Sequence, residues 1–246
     1  VFHETARRRT TMRDVQAGQV LEWFLELEER LSELMRHVPY SENTEEVSLP
    51  RAAGIILEAG SLIDTVFRET MPTQASRGSL TMRDYRPHFE DKFHLSNLRS
   101  LMFYWPPKYL VPFSGWQAAG AGGEQQPSWW RAYSDMKHSR ISSLPQATLG
   151  NAVLTLAALH QVMSQTSPFW EPLLRREMID SNHIHVANYV HSLTTKQPWA
   201  SEVVTVESAL FSTTLGSKRF PERIADLRSW VSSSGGKRLR RFLGVF

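Results

Sequence analysis

Pro127–Arg140 reads P-S-W-W-R-A-Y-S-D-M-K-H-S-R, and it carries the clearest signal in the chain. Two tryptophans and a tyrosine alternate there with Arg131, Asp135, Lys137, His138 and Arg140. The absence of proline or glycine after Pro127 and the polar/apolar alternation predict a helix. Arg131 and His138 are seven positions apart, within about 20° of two full helical turns, so both project from one face, about 10 Å apart along the axis. Asp135 lies three residues before His138 and four after Arg131, on the same face. Trp129, Trp130 and Tyr133 then belong to the packing face.

A Gly/Ala/Gln segment, 117–126, precedes this helix and is expected to be a mobile loop. A helix from Pro145 to about Ser164 follows it. That helix is apolar on nearly all sides between Ala152 and Met163, the pattern of a buried central helix, and His160 inside the run reads as a core histidine. Upstream, Val20, Phe24, Leu27, Leu31, Leu34 and Val38 recur in steps of three and four, which predicts a first helix over 14–38 with Glu26, Glu29, Arg30 and Glu33 outward. A second helix is expected from Pro50 to about Met71, capped by Ser48, and a third over 81–102 with a break or kink near Pro87. Between them, 103–116 (F-Y-W-P-P-K-Y-L-V-P-F-S-G-W) holds three prolines. It is expected to be extended, an edge hairpin laid over the core by its aromatic residues.

After Pro168 the character changes. A short helix is expected within 169–180, strands over 183–193 and 202–214, and a last helix over 221–231. Residues 232–236 (S-S-S-G-G) then read as a linker and 237–242 (K-R-L-R-R-F) as a basic tail. The expected architecture is mainly α: a helical bundle over residues 12–168 and a smaller mixed α/β appendage over 169–246.

Composition narrows the chemistry. The chain has 246 residues and no cysteine, which removes disulfides, thiolate metal sites and a cysteine nucleophile. No apolar run approaches the roughly 20 residues that span a bilayer, and the first residues lack the apolar core of a signal peptide, so no membrane partner and a cytoplasmic location are expected. Motifs for nucleotide hydrolysis, dinucleotide binding, zinc proteolysis and α/β-hydrolase chemistry are missing. The formal net charge is +3 but unevenly spread, with eleven acids against four bases over 18–70 and eight bases against two acids over 216–246. The two parts face one another, or simply face water, or mark a basic end with an anionic partner.

An arginine and a histidine on one helix face suit phosphodiester cleavage in RNA. The imidazole can move the proton of the 2′-hydroxyl, and the guanidinium can hold the phosphate as charge develops on it. No cofactor is needed. Arg131-A-Y-S-D-M-K-His138, with six intervening residues, resembles the motif of HEPN-type proteins, in which an Arg, four to six residues and a His sit on a late helix of an antiparallel helical bundle. The W-W, Y and K-H pattern before an Ala-rich helix is also similar to uncharacterised bacterial HEPN-like proteins. The resemblance covers about residues 14–165. It implies a homodimer with the two motif helices lining one cleft, and either ribonuclease activity in a toxin–antitoxin or other defence system, with an antitoxin or other defence protein as partner, or a non-catalytic interaction module. Arg131 and His138 become the catalytic residues, with Asp135 and Lys137 in support. The family usually has a polar residue after the Arg, where this chain has Ala132.

Two further groups stand out. Arg140 and the tail residues Lys237, Arg238, Arg240 and Arg241 are candidate nucleic-acid contacts, salt-sensitive and independent of sequence. His183, His185 and His191 with Asp180 are a third, weaker candidate, for metal, although their spacing fits no zinc pattern; a solvated strand face is the expected role, and no metal is assigned.

Overall fold

The structure, a computed structural model, describes residues 12, 14–71, 80–120, 123–179, 204–215, 219–233 and 236–245. It is mainly helical, with one small antiparallel sheet of four strands. Helices α1 (Asp14–His37), α2 (Pro50–Thr70), α4 (Ser128–His138) and α5 (Leu149–Gln165) pack on one another, with α2 against α1, α4 and α5. The apolar stripe of α1 is buried as its spacing requires, and α5 is buried on almost every side. Thr148 caps α5 by accepting the Asn151 N–H, which satisfies one of the amides that a helix start leaves unpaired. Ser48 does not cap α2. Its hydroxyl donates instead to the Leu144 carbonyl at 2.8 Å, tying the entry of α2 to the entry of α5.

Helix α3 (Met82–Phe93) is shorter than its apolar spacing suggests. It passes through Pro87 and stops where His94 takes a left-handed conformation, φ 51°. The Glu90 carboxylate then accepts the Ser96 N–H and hydroxyl, fixing the exit. Residues expected in the helix form β1 (Ser100–Met102) instead, which turns back into β2 (Lys108–Leu110). The Pro-rich segment is thus an edge hairpin whose later aromatics, Phe113 and Trp116, are buried against Phe67 of α2. Residues 117–126 are not an irregular loop: β3 (Gln117–Gly120) and β4 (Gly123–Gln125) pair antiparallel.

Elements from before and after residue 168 meet in one sheet. A short helix α6 (Trp170–Arg175) is followed by β5 (Thr205–Glu207) and β6 (Phe211–Thr214), and the sheet order is β2-β1-β6-β5. Strand β6 lies beside β1, with Ser100 opposite Thr213 and Leu101 opposite Ser212. Alternation along a strand sends neighbours to opposite faces. Ser100, Thr213 and Val206 face α5 and the bundle core, whereas Leu101 and Glu207 face a second apolar cluster with Phe220, Leu227, Val231, Leu239 and Leu243. Those last residues belong to α7 (Leu227–Ser233) and α8 (Lys237–Leu243) and to the chain leading into them. The central strands are therefore covered on both sides, which explains why β1, β5 and β6 are buried throughout. The basic stretch 237–242 is not a tail but most of an amphipathic helix seated on the sheet.

Two buried carboxylates hold the C-terminal elements. Glu28 of α1 accepts the N–H groups of Ala209 (3.1 Å) and Leu210 (2.8 Å) and the Ser208 hydroxyl, closing the β5–β6 turn against the bundle. Glu207 of β5 accepts the N–H groups of Gly236 (3.1 Å), Arg238 (2.9 Å) and Leu239 (3.3 Å) at the start of α8, and the Thr205 hydroxyl. A Cβ on Gly236 would lie 2.5 Å from the Glu207 carboxyl carbon, so this approach needs glycine. Burial raises the pKa of both acids, and their hydrogen bonds oppose that rise.

Between α5 and the sheet, His160 is fully buried between Phe24 and Phe211, its Nδ1 2.9 Å from the Thr213 hydroxyl. Thr213 also meets Ser100 at 2.6 Å, and Gln161 donates to Ser100 and to the Leu98 carbonyl. Burial pulls the His160 pKa down to about 3. An unfolded chain takes up that proton near pH 6.5, about the ordinary histidine value. Stability from a neutral His160 is therefore complete above that pH and is lost as pH falls toward about 3. The expected loss is about 1.4 kcal/mol per pH unit inside that window, read from denaturant midpoints. In nitrogen-15 spectra the His160 ring should remain neutral until the fold is lost.

A second expectation concerns Gly60 of α2. An added Cβ there would sit 2.5 Å from Tyr133 Cδ2, whereas at Gly18 of α1 it would meet nothing within 4 Å. Gly60→Ala should cost about 1–3 kcal/mol through displacement of the tyrosine ring. Gly18→Ala should stabilise by about 0.5–1 kcal/mol through helix propensity. Chemical denaturation of the two variants checks both signs.

Candidate functional site

Helix α4 has two chemically distinct faces. Trp129, Trp130, Ala132, Tyr133 and Met136 are buried. Trp129 packs edge-on to Phe113 and donates its indole N–H to the Pro112 carbonyl at 2.7 Å, which clamps the Pro-rich segment to the bundle. Trp130 lies against both Trp129 and Tyr133. The Tyr133 ring sits on the bare backbone at Gly60, which lets α4 and α2 approach closely.

The other face is polar. Arg131, Lys137, His138 and Arg140 are exposed, and Asp135 is half-buried. Among the described residues the side chains of Arg131 and His138 make no hydrogen bond or ion pair. Asp135 is engaged: its carboxylate accepts the Gln146 amide at 2.8 Å, and the Gln146 carbonyl in turn accepts the Asn151 amide at 2.9 Å. It therefore ties α4 to the turn that opens α5 and pairs with neither Arg131 nor His138. The Lys137 ammonium lies 5.5 Å from the centre of the Tyr133 ring, a cation–π arrangement. Of the four residues expected to act together, Arg131, Lys137 and His138 are exposed, and Asp135 is engaged with the turn that opens α5.

The C-terminal cations lie elsewhere. Lys237, Arg238 and Arg241 of α8 line a cavity of about 550 Å³ together with residues of α1, the end of α6 and the β5–β6 turn, and with none from α4. Arg240 is half-buried and does not line it. Arg176, unmarked in the sequence pattern, joins that cavity and pairs with Glu22 of α1. Glu28 and Glu207 also escape the pattern, although Glu28 does fall within the apolar spacing of α1, between Phe24 and Leu31. The same buried position in the helix that takes a leucine elsewhere takes a carboxylate here, because backbone donors meet it.

Among the described residues no group of three or more histidine, aspartate or glutamate side chains is arranged to hold a metal. His183, His185, His191 and Asp180 lie outside the described residues. No helix among the described residues is long and apolar enough to cross a membrane.

Asp135→Ala should remove the Gln146 hydrogen bond and lower stability by about 1 kcal/mol, while His138→Ala, at an exposed position, should change it by less than about 0.5 kcal/mol; thermal melts of the two variants separate a structural carboxylate from a free imidazole. Comparison of the chain with protein-family models, with curated proteins and with solved structures returns no match.

Proposed function

We propose that this chain is a metal-independent ribonuclease of the HEPN-like class, acting as a homodimer in a bacterial defence or toxin–antitoxin setting in the cytoplasm. The observation that supports it is the division of α4: the aromatic side chains are committed to packing, and Arg131 and His138 stand exposed on the remaining surface. In this reading His138 takes the proton of the ribose 2′-hydroxyl, and the resulting alkoxide attacks the adjacent phosphorus. Arg131 carries the charge that builds on the phosphoryl oxygens. A protonated histidine returns a proton to the departing 5′-oxygen, leaving a 2′,3′-cyclic phosphate and a free 5′-hydroxyl. The nucleophile is internal to the RNA, so the reading invokes no cofactor. One convex helix face does not enclose a scissile bond, and a second copy with its α4 opposed supplies the other wall and the second histidine.

A second reading is a non-catalytic interaction module of the same class, binding RNA or a protein partner. It is favoured by the engagement of Asp135 with Gln146 and of Lys137 with Tyr133, since neither then supports His138. Catalytic groups are ordinarily held in place by neighbours.

RNA cleavage in the presence of EDTA separates the two. The nuclease reading expects His138→Ala and Arg131→Ala each to lower the cleavage rate by about 100-fold or more and to abolish any toxicity on expression. Unchanged cleavage in both variants, or none in the parent, ends that reading; Arg131-dependent RNA binding without cleavage selects the module.

A further inference from the structure

The cavity beside α8 holds an unusual concentration of cations. Lys237 and Arg241 are one turn apart on α8, and Arg238 lies between them, so these side chains leave the same solvent-facing part of the helix while Leu239 and Leu243 face the sheet. Arg176 comes from the end of α6, far away in the chain. All four are exposed. Arg238 donates to the Ser208 carbonyl at 2.5 Å and Arg176 pairs with Glu22, so both are fixed in place. The Arg241 side chain makes no hydrogen bond or ion pair with the described residues.

The acids at the same cavity are differently placed. Glu28 and Glu207 are 2% and 8% exposed, and their oxygens are occupied by backbone N–H groups and by the hydroxyls of Ser208 and Thr205. Among the described residues Glu177 is the exposed acid that lines the cavity, and Glu22, exposed beside it, pairs with Arg176. A solute entering from water meets the guanidinium and ammonium groups before it meets the buried carboxylates. Arginine forks match the oxygen geometry of phosphate, and the volume, about 550 Å³, exceeds what a lone phosphate fills and falls in the range of small-molecule sites. Leu25, half-buried, gives the cavity an apolar side chain for the flat face of a base.

We propose that this cavity binds the phosphate monoester of a nucleotide, free or as the 5′ end of an RNA strand, with Arg241 as the principal phosphate ligand, Lys237 and Arg176 beside it, and Leu25 against the base. This site stands apart from α4 and does not depend on cleavage there.

Titration calorimetry of the intact chain with adenosine 5′-monophosphate and with adenosine tests the phosphate. Fluorescence anisotropy with two otherwise identical oligoribonucleotides, one with a 5′-phosphate and one with a 5′-hydroxyl, tests the RNA end. The phosphorylated member of at least one pair should bind more tightly, and Arg241→Glu should weaken that binding roughly tenfold or more. Whichever phosphorylated probe binds more tightly identifies the source. Arg241 is exposed, so its variant should melt with the parent; if charge reversal lowers the melting temperature, Arg241→Gln takes its place with the same expected direction. Cleavage is read on RNA with the α4 variants and nucleotide binding on adenosine 5′-monophosphate with the Arg241 variants, so failure of the one reading is distinguished from failure of the other. Equal binding of phosphorylated and unphosphorylated probes in both pairs, or an affinity insensitive to both Arg241 substitutions, overturns the proposal.

Discussion

Backbone amides that are buried without a partner in their own element must find an acceptor, and two carboxylates meet that demand at the β5–β6 turn and at the start of α8. The Ala209 and Leu210 amides at the β5–β6 turn would face the flank of α1 unpaired without Glu28. The Arg238 and Leu239 amides at the start of α8 would be in the same position without Glu207, which shares the Gly236 amide with the Thr205 hydroxyl. Burying a carboxylate is costly unless its oxygens are filled, and burying an amide is costly unless it donates. Each group removes the other's penalty, and a negative charge at a helix N-terminus is further favoured by the helix dipole. Because Glu207 and Ser208 are adjacent, one short turn connects the bundle, the sheet and α8.

That connection explains why the sheet is dry. Its bundle face meets α5 through His160, Gln161 and Gln165, whose polar atoms reach Thr213, Ser100 and the Thr214 carbonyl. Its other face is closed by α7 and α8 with Phe220, Leu227, Val231, Leu239 and Leu243. Strands and hydrogen bonds thereby join elements from before and after residue 168. The charge asymmetry acquires a physical meaning in the same place: acidic α1 supplies Glu22 and Glu28 to a region where Arg176 and the α8 cations gather.

Helix α4 shows how packing and chemistry can be divided within one turn-by-turn pattern. Its tryptophans and tyrosine secure the Pro-rich segment and the close approach to α2 at Gly60. Asp135 secures the following turn. What remains at the surface is an arginine and a histidine that the fold itself does not use. Lys137 stays near them through Tyr133. Residues that look alike in the motif therefore do different work, and their partners, not their identities, distinguish them.

By itself the sequence determined the helical character, the faces of α1, α2, α4 and α5, the core role of His160 and the hairpin in the Pro-rich segment. These follow from local periodicity and from proline, which act within a few residues. Tertiary structure alone decided the rest. The end of α3 depends on a left-handed His94 and on the Glu90 hydrogen bonds. The pairing of β1 with β6 joins segments more than a hundred residues apart, and short strands carry too little pattern to announce their neighbours. The stretch 237–242 reads as a charged tail until Leu239 and Leu243 find the sheet and Glu207 caps the helix start. Glu28 and Glu207 look like surface acids until backbone donors from distant turns meet them, and Asp135 looks like a partner of His138 until Gln146 claims it. For β1 and β6, for the stretch 237–242 and for the two buried glutamates the deciding group lies far away in the chain, and only folding brings it within reach; the end of α3 and Asp135 are decided by nearer partners, Ser96 and Gln146, whose positions the periodicity does not reveal.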